Sequence, residues 1–321
     1  MTDPIVTVIM VSYNTRELTL AALRTLFETT ETTIIHVVVF DNASTDGSVE
    51  AIAQSFPQVE LIASTENLGF AKANNVVAAA AKTEWLLLLN PDTECHRVHG
   101  VGAVDALLSF AVNSEKQSST AETKTPGIWG GRTVFPDGSL NPASCWNKIT
   151  LWTVFCRTFG LDSFRRRSEL FNAEALGDWP RNSVRRVDIV VGCFFLIRKK
   201  LWDDLCGFDL KYFMYGEEAD LCLRAAEKGY QPMITPDAQI MHIVGAATSQ
   251  KSDKKISVLR ARATLMRDHW PAWQVPLGLW LMWVGAGLRR LVCRGEAHKA
   301  VWNERKIWLR GYIGDKHSVV S

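Results

Sequence analysis

Polar side chains follow four apolar segments of the sequence at the points where the segments end. The segments are residues 5–13, which end in Ser12 and Tyr13 and are followed by Asn14; 34–40, followed by Asp41 and Asn42; 59–63, followed by Asn67 and Gly69; and 85–89, followed by Asn90 and Asp92. If the segments are parallel strands, their carboxyl ends meet at one edge of a sheet, where α/β folds bind ligands. A plain turn explains each ending singly, but four together favour a binding crevice.

Two carboxylates of this set have the chemistry that nucleotide-sugar binding requires. A carboxylate such as Asp41 accepts the imide N–H of a uracil or thymine ring. An acid such as Asp92, placed beside a diphosphate, binds a divalent cation, because Mg²⁺ and Mn²⁺ favour carboxylate and phosphate oxygens. The sequence contains neither GxGxxG nor GxxxxGK[ST], which removes the main support for a dehydrogenase or a P-loop protein.

A further acidic group occupies residues 216–220, Gly-Glu-Glu-Ala-Asp, directly after an aromatic run at residues 212–215. Carboxylates grouped in this way can accept or donate a proton in catalysis. A helix N-terminus also favours acidic side chains, through the helix dipole, and this is the structural alternative. The helix dipole does not explain the aromatic run that precedes the acids.

The elements that position these residues follow from the hydrophobic pattern. Strand-like and helix-like segments alternate over the first 89 residues, which predicts right-handed βαβ units and an α/β fold with a mostly parallel central sheet flanked by helices. Residues 187–197 predict another buried strand pair or strand-turn. Residues 112–127 are polar, and we predict a mobile loop there.

Composition limits the class of protein. The chain has 321 residues, 47% of them hydrophobic and 22% charged, with a net charge of +2. This near-neutral balance argues against nucleic-acid binding. The seven cysteines form no CxxC pair, so we expect reduced thiols in a cytoplasmic protein, and the N-terminus shows no signal-peptide pattern.

The C-terminal third holds a tryptophan-containing run from Gln274 to Leu291, whose apolar part is followed by Arg289, Arg290 and Arg294. Its uncharged part, residues 275–288, is shorter than the ~20 residues that span a bilayer. Tryptophan and arginine at its margins suit a helix lying on the inner face of the plasma membrane. A core or dimer helix is the alternative, and the sequence alone leaves both open.

Taken together, the motifs VSYN, DNASTDGS, NLGFAKANN, NPDTE and YFMYGEEADLCLRA resemble the inverting glycosyltransferases of family 2, which have the GT-A fold. Within that family the chain is most similar to bacterial rhamnosyltransferase-type enzymes of cell-surface polysaccharide synthesis. The resemblance runs from about residue 6 to residue 248. It implies a GT-A domain over 1–248 and leaves a C-terminal helical extension over 249–321 that is a candidate for membrane contact.

The resemblance also implies roles for individual residues. Glu218 is the first candidate for the catalytic base and Glu217 the second, since the family usually shows Glu-Asp where this chain has Glu-Glu. Asp92 is implied as a metal ligand, with His242 as a second ligand or a diphosphate contact. The implied substrate-binding residues are Ser12, Tyr13, Asn14, Asp41, Asn42, Asn67, Gly69, Phe70, Asn74, Asn90, Gly192 and Tyr215.

We therefore expect an inverting, metal-dependent transferase that uses Mg²⁺ or Mn²⁺. The resemblance suggests dTDP-L-rhamnose as the donor, with other UDP- or NDP-hexoses as the alternative. It suggests a saccharide or a polyprenyl-diphosphate-linked saccharide as the acceptor. A non-catalytic GT-A scaffold within a polysaccharide assembly complex is the competing hypothesis, and the oligomeric state is left open.

Overall fold

The computed structural model describes residues 3–118, 124–243, 251–293 and 295–312. The chain divides into two compact units. The first comprises Met1–Trp146, Pro180–Phe208 and Leu221–Ala247, and the second comprises Asn147–Trp179, Asp209–Asp220 and Thr248–Ser321. The C-terminal helices thus form a unit with two segments from the middle of the chain.

The strands belong to the first unit. They are β1 Val6–Ser12, β2 Ile35–Asp41, β3 Glu60–Ala63, β4 Trp85–Leu89, β5 Thr93–Cys95, β6 Arg97–Val98, β7 Val101–Gly102, β8 Thr125–Val134, β9 Cys145–Trp146, β10 Arg185–Arg186, β11 Ile189–Val190, β12 Phe194–Arg198 and β13 Tyr230–His242. The central sheet has the order β10-β13-β8-β12-β4-β1-β2-β3, with β5 beside β13. Strands β11 and β12 confirm the strand pair predicted over residues 187–197.

Helices flank this sheet. They are α1 Arg16–Thr29, α2 Ser48–Ser55, α3 Gly69–Ala80, α4 Ala103–Ser118 and α7 Lys199–Asp204, followed by α8 Glu217–Glu227, whose first turn belongs to the second unit. Strand β1 pairs in parallel with both β2 and β4, and β2 pairs in parallel with β3, as the βαβ pattern predicts. Strand β12 runs antiparallel between β4 and β8, so the sheet is mixed beyond β4.

The leucine run 86–89 is buried because β4 lies inside the sheet, between β1 and β12. Burying each such side chain contributes roughly 1.5–3 kcal/mol relative to exposure, which explains why the run is apolar on both faces. The paired register places Ser12 opposite Asp41. The strand ends that carry the polar residues are therefore adjacent, as predicted.

The predicted loop at residues 112–127 is wrong at both ends. Residues 112–118 are the last turns of α4, and residues 125–127 begin β8; residues 119–123 lie outside the described part. The polar residues of this segment do not prevent helix formation, because several lie on the outer side of α4. Ser114 faces inward and accepts a hydrogen bond from the Trp129 indole (2.8 Å).

The second unit is helical. It contains α5 Leu151–Thr158, α6 Leu161–Phe164, α9 Lys251–His269, α10 Gln274–Val292, α11 Glu296–Asn303 and α12 Arg305–Arg310. Its core includes Val154, Met266, Leu281 and Trp308. The buried Arg262 guanidinium is paired with the Glu174 carboxylate, so a segment from the middle of the chain is joined to α9 by an ion pair.

Candidate active site

Hydrogen bonds join the loops that follow β1, β2 and β3. The Asn42 N–H donates to the Ser12 carbonyl (2.8 Å), and the Asn42 side-chain oxygen accepts from the Leu68 N–H (2.9 Å). The Asn14 side-chain oxygen accepts the Thr45 N–H (2.8 Å). These bonds satisfy polar groups that the sheet itself leaves unpaired and hold the three loops in one arrangement.

Asp41 lies at the carboxyl end of β2 and is almost completely buried. One carboxylate oxygen accepts the Ser44 N–H (2.8 Å), whereas Oδ2 has no hydrogen-bond partner within the described residues. A buried acceptor without a partner is costly. Asp41 is thus suited to accept an N–H from a bound ligand.

The segment from Asn67 to Asn74 contains a left-handed turn. Gly69 has φ +76°, a region that favours glycine, and its N–H donates to the Asn67 side chain (2.9 Å). One turn into α3, the buried Asn74 donates to the Phe70 carbonyl (2.9 Å), while its Oδ1 is unpartnered in the described part of the chain. Asn74 therefore offers a second buried acceptor at the start of this helix.

Gly192 lies opposite this segment. A Cβ atom at Gly192 would be 3.3 Å from Phe70 Cζ, which is tighter than ordinary packing. The following residue, Cys193, accepts with its carbonyl the Asn90 N–H (3.1 Å), which connects Gly192 to the end of β4. The absence of a side chain at position 192 thus allows close approach of the backbone to Phe70.

Asp92 and His242 form a pair at the end of β4. His242 Nε2 lies 3.3 Å from Asp92 Oδ1, and both side chains are largely buried. The Ile243 N–H donates to the Asp92 carbonyl (2.9 Å), so the backbone holds the two residues together. Burial acts to lower the pKa of His242, but the hydrogen bond to Asp92 helps to raise it above its usual value.

This pair fits a divalent cation as a partial ligand set. Adjacent ligand atoms of an octahedral ion with bonds of ~2.1 Å lie about 3.0 Å apart. The 3.3 Å between His242 Nε2 and Asp92 Oδ1 is close to that spacing. Among the described residues no cluster of three or more His, Cys, Asp or Glu side chains could hold a metal. An ion at this pair would therefore need further oxygen ligands, such as phosphate and water.

The acidic group of α8 belongs to the second unit. Tyr215 and Gly216 have φ values of +67° and +111°, and this sharp turn precedes the helix. Glu217 is buried, and its Oε2 is unpartnered within the residues that the structure describes, whereas Glu218 is partly exposed. Burial raises the pKa of both carboxyls, and the neighbouring Glu218 raises the pKa of Glu217 further, well above its usual range.

Two further polar contacts in the second unit are not apparent from sequence motifs. Asp220 Oδ1 lies 3.0 Å from His269 Nε2, and both side chains are buried. The Tyr212 hydroxyl donates to Asp268 (2.7 Å). His269 and Asp268 both lie at the end of α9, about 50 residues after Asp220 and Tyr212 in the sequence. Helical periodicity gives no signal for such contacts, because they depend on how α9 packs.

The predicted substrate residues thus differ in what their side chains do. Asp41 and Asn74 present unpartnered buried oxygens, as counted over the described residues. The Ser12 hydroxyl, in contrast, lies 3.3 and 3.2 Å from the hydroxyls of Thr15 and Thr19. The side chains of Ser12 and Asn42 are thus engaged in hydrogen bonds between and within the loops, and their role in substrate binding stays a prediction. Tyr13 is exposed and available.

Comparison with known proteins agrees with the predicted family. Residues 7–99 match the model of glycosyl transferase family 2. An N-acetylglucosaminyl-diphospho-decaprenol L-rhamnosyltransferase of Mycobacterium tuberculosis is 28% identical over 236 residues, covering 65% of this chain. The match spans 66% of that relative's own length. The O-antigen biosynthesis protein RfbC of Myxococcus xanthus is 24% identical over 73% of this chain and 16% of its own.

Solved structures confirm the GT-A fold. A mannosyltransferase of Pyrobaculum calidifontis, in complex with GDP-mannose and Mn²⁺, has a TM-score of 0.52 at 17% identity, over 97% of this chain and 84% of its own. The transferase GalNAc-T7, with UDP, GalNAc and Mn²⁺, has a TM-score of 0.56 at 13% identity, over 84% and 48% of the two chains. These likenesses establish the architecture of the chain.

Proposed function

We propose, from the family 2 match of residues 7–99, that this protein is an inverting glycosyltransferase that uses a pyrimidine nucleotide-diphosphate sugar. The observation that carries the proposal is the buried Asp41 carboxylate, whose Oδ2 lacks a partner among the described residues at the sheet edge predicted to bind ligands. That oxygen suits the imide N–H of thymine or uracil. L-Rhamnose carried by dTDP is the proposed donor, because the Mycobacterium tuberculosis relative is named a rhamnosyltransferase.

Asp92 and His242 are the residues that would hold Mg²⁺ or Mn²⁺. When bound, the ion supplies positive charge that stabilises the leaving diphosphate. The hydrogen bond between the Ile243 N–H and the Asp92 carbonyl keeps the two side chains together. Preorganisation of this kind avoids a cost of rearrangement when the donor binds.

Glu218 is the proposed base and takes the proton of the acceptor hydroxyl. Of the two adjacent acids it is the less buried one. Glu217 has the more strongly raised pKa, because it is buried and lies beside Glu218. Two adjacent carboxylates do not readily carry charge together, so the more strongly raised pKa of Glu217 favours a proton on Glu217 rather than on Glu218.

The proposed acceptor is a saccharide linked to a polyprenyl diphosphate. This follows the name of the Mycobacterium tuberculosis relative, whose acceptor is N-acetylglucosaminyl-diphospho-decaprenol. The relative named for O-antigen biosynthesis belongs to the same broad process of cell-surface polysaccharide synthesis. We propose that the protein works at the cytoplasmic side of the membrane, where nucleotide sugars are made.

The test is donor binding by the full chain, measured by calorimetry with dTDP-rhamnose, dTDP-glucose, UDP-glucose, UDP-galactose and GDP-mannose, each with and without Mn²⁺. We expect Mn²⁺-dependent binding of one pyrimidine donor, with turnover when a lipid-linked acceptor is added. Preference for GDP-mannose would contradict the pyrimidine assignment. Donor binding without turnover on any acceptor would instead support a non-catalytic scaffold.

A further inference from the structure

Helix α10 is apolar on two opposite sides. Its buried side consists of Gly278, Leu281, Met282, Gly285 and Ala286, at the three- and four-residue spacing of one helical stripe. The opposite side carries Trp273, Leu277, Trp280, Leu288 and Leu291, all of which are exposed. A surface helix of a soluble protein normally has polar residues on its outer side. The composition of the outer side of α10 therefore suits an apolar environment better than water.

The exposure of this outer side is large. Trp273 is 71% exposed, Trp280 54% and Leu291 83%. No charged residue occurs between Trp273 and Leu288. By length and composition α10 could cross a membrane, and only 28% of its most apolar window is buried. Large exposed apolar side chains grouped on one side of a helix are typical of a binding surface.

Helix α5 carries a second exposed aromatic stripe in the same unit. Trp152, Phe155 and Phe159 recur at helical spacing and are exposed, and Phe164 of α6 follows them. Helix α5 packs against α10, since the Thr158 hydroxyl donates to the Leu281 carbonyl (2.9 Å). We call the exposed aromatic and aliphatic residues of α5, α6 and α10 the aromatic face.

Positive charge lies beside this face. Arg289 and Arg290 lie in the last turn of α10, and Arg165, Arg166 and Arg167 follow Phe164. The Arg165 guanidinium stacks over the Phe164 ring, 5.4 Å from its centroid. More than half of the 36 Lys and Arg residues, but fewer than half of the 34 Asp and Glu residues, fall in the second unit. This unit is therefore basic, although the whole chain is nearly neutral.

We propose that the aromatic face binds the surface of an anionic lipid bilayer, with α10 lying in the interface rather than crossing it. Tryptophan and arginine are the residues that stabilise interfacial helices, with the rings among the acyl chains and the guanidinium groups at lipid phosphates. A crossing helix would expose to lipid the side that packs on Met266 and Val154. The basic margin also favours an anionic bilayer over a second copy, because two copies would bring like charges together.

The experiment is co-sedimentation of the full chain with vesicles of phosphatidylcholine alone or with about a quarter phosphatidylglycerol. We expect binding to the anionic vesicles, and a fall of roughly tenfold in binding for Trp280→Glu with Leu291→Glu. The matched control is Ile307→Glu, which changes an apolar residue of α12 that is 47% exposed and lies off the aromatic face. It should bind as the unchanged chain does.

Three results would overturn the proposal. One is equal binding to neutral and anionic vesicles, and another is binding that the Trp280 and Leu291 changes leave intact. The third is a lipid-free dimer in light scattering that becomes a monomer in the same variant, since a second copy would then cover the face. Thermal unfolding of each variant shows whether it is folded. The proposal rests on the surface of the second unit, whereas donor binding is proposed for residues of the first unit. The outcome of the vesicle experiment is therefore independent of the outcome of the donor-binding experiment.

Discussion

His242 Nε2 lies 3.3 Å from Asp92 Oδ1 because strand β13 pairs antiparallel with the short strand β5 that directly follows Asp92. In this register His242 is opposite Thr93. Two residues far apart in the sequence are thereby held by backbone hydrogen bonds rather than by their side chains alone. This arrangement is the basis for the first prediction.

Asp92→Asn and His242→Asn should each weaken Mn²⁺-dependent donor binding. The first change removes the charge of the carboxylate and the second removes the imidazole nitrogen, and neither enlarges the side chain. We therefore expect a loss of at least about tenfold in the Mn²⁺-dependent affinity for the donor. Calorimetric titration of donor with and without Mn²⁺ measures it. Glu50→Gln, an exposed acid on α2, is the control. An unchanged Mn²⁺ effect in both variants would show that the ion is bound elsewhere.

Asp41→Asn should selectively weaken the binding of pyrimidine nucleotides. Asparagine keeps the oxygen that accepts the Ser44 N–H but loses the charged acceptor offered to the base. Loss of a hydrogen bond to a charged group costs about 1.5–3 kcal/mol, or roughly 10- to 100-fold in affinity. The measurement compares dTDP, UDP and GDP on the same variant. If all three weakened equally, Asp41 would affect the loops and not recognition of the base.

Glu218→Gln should lower kcat by about 100-fold or more with little change in donor affinity, because the proton acceptor is removed. Glu217→Gln is the matched variant. Glutamine resembles the protonated form of Glu217, which the raised pKa of this residue favours. We therefore expect kcat to change far less than in Glu218→Gln. The opposite ranking of the two variants would assign the base to Glu217.

The pH profile provides a separate check on the same pair. Burial raises the pKa of Glu218, so kcat should fall with acidification at a pH above the 4.5 of an ordinary glutamate. A base must be ionised to accept a proton, and activity is therefore present above the raised pKa and lost below it. Glu217→Gln should leave this acid limb in place. An acid limb that disappears in that variant would assign the titration to Glu217.

Glu174→Gln should destabilise the second unit by about 3 kcal/mol at neutral pH, because buried Arg262 loses its charged partner. Burial acts to raise the pKa of Glu174, but Arg262 and Arg157 outweigh it and lower the pKa to about 2. A lowered pKa stabilises the folded state above the ordinary value of 4.5, and the contribution is lost as the pH falls toward 2.

Urea unfolding across that pH range, followed by tryptophan fluorescence, measures this contribution. The free energy of unfolding of Glu174→Gln should depend less on pH between about 4.5 and about 2 than that of the unchanged chain. Glu296→Gln, whose side chain is 87% exposed, is the control and should behave as the unchanged chain does. An identical pH dependence in Glu174→Gln would mean that another group is responsible.

Local pattern was sufficient to predict the sheet that carries Asp41 and Asp92. The apolar runs of β1, β2 and β4 have the length and burial of central strands, and the intervening helices force parallel pairing. Parallel pairing in turn places strand ends at one edge, so the grouping of Asp41 with Ser12 followed from periodicity alone. The loop predicted at 112–127 failed because polar composition was taken as absence of structure, although α4 needs an apolar stripe on one side only.

The sequence by itself thus determined the α/β class, the strand ends and the identity of the acids. Only the tertiary structure decided which residues meet across long separations: His242 with Asp92, His269 with Asp220, and Arg262 with Glu174. It also decided which side of α10 is buried. The physical reason is that periodicity reports the environment of a residue within its own helix or strand. The partners of a side chain depend on how distant segments pack, and a local pattern carries no information about that packing.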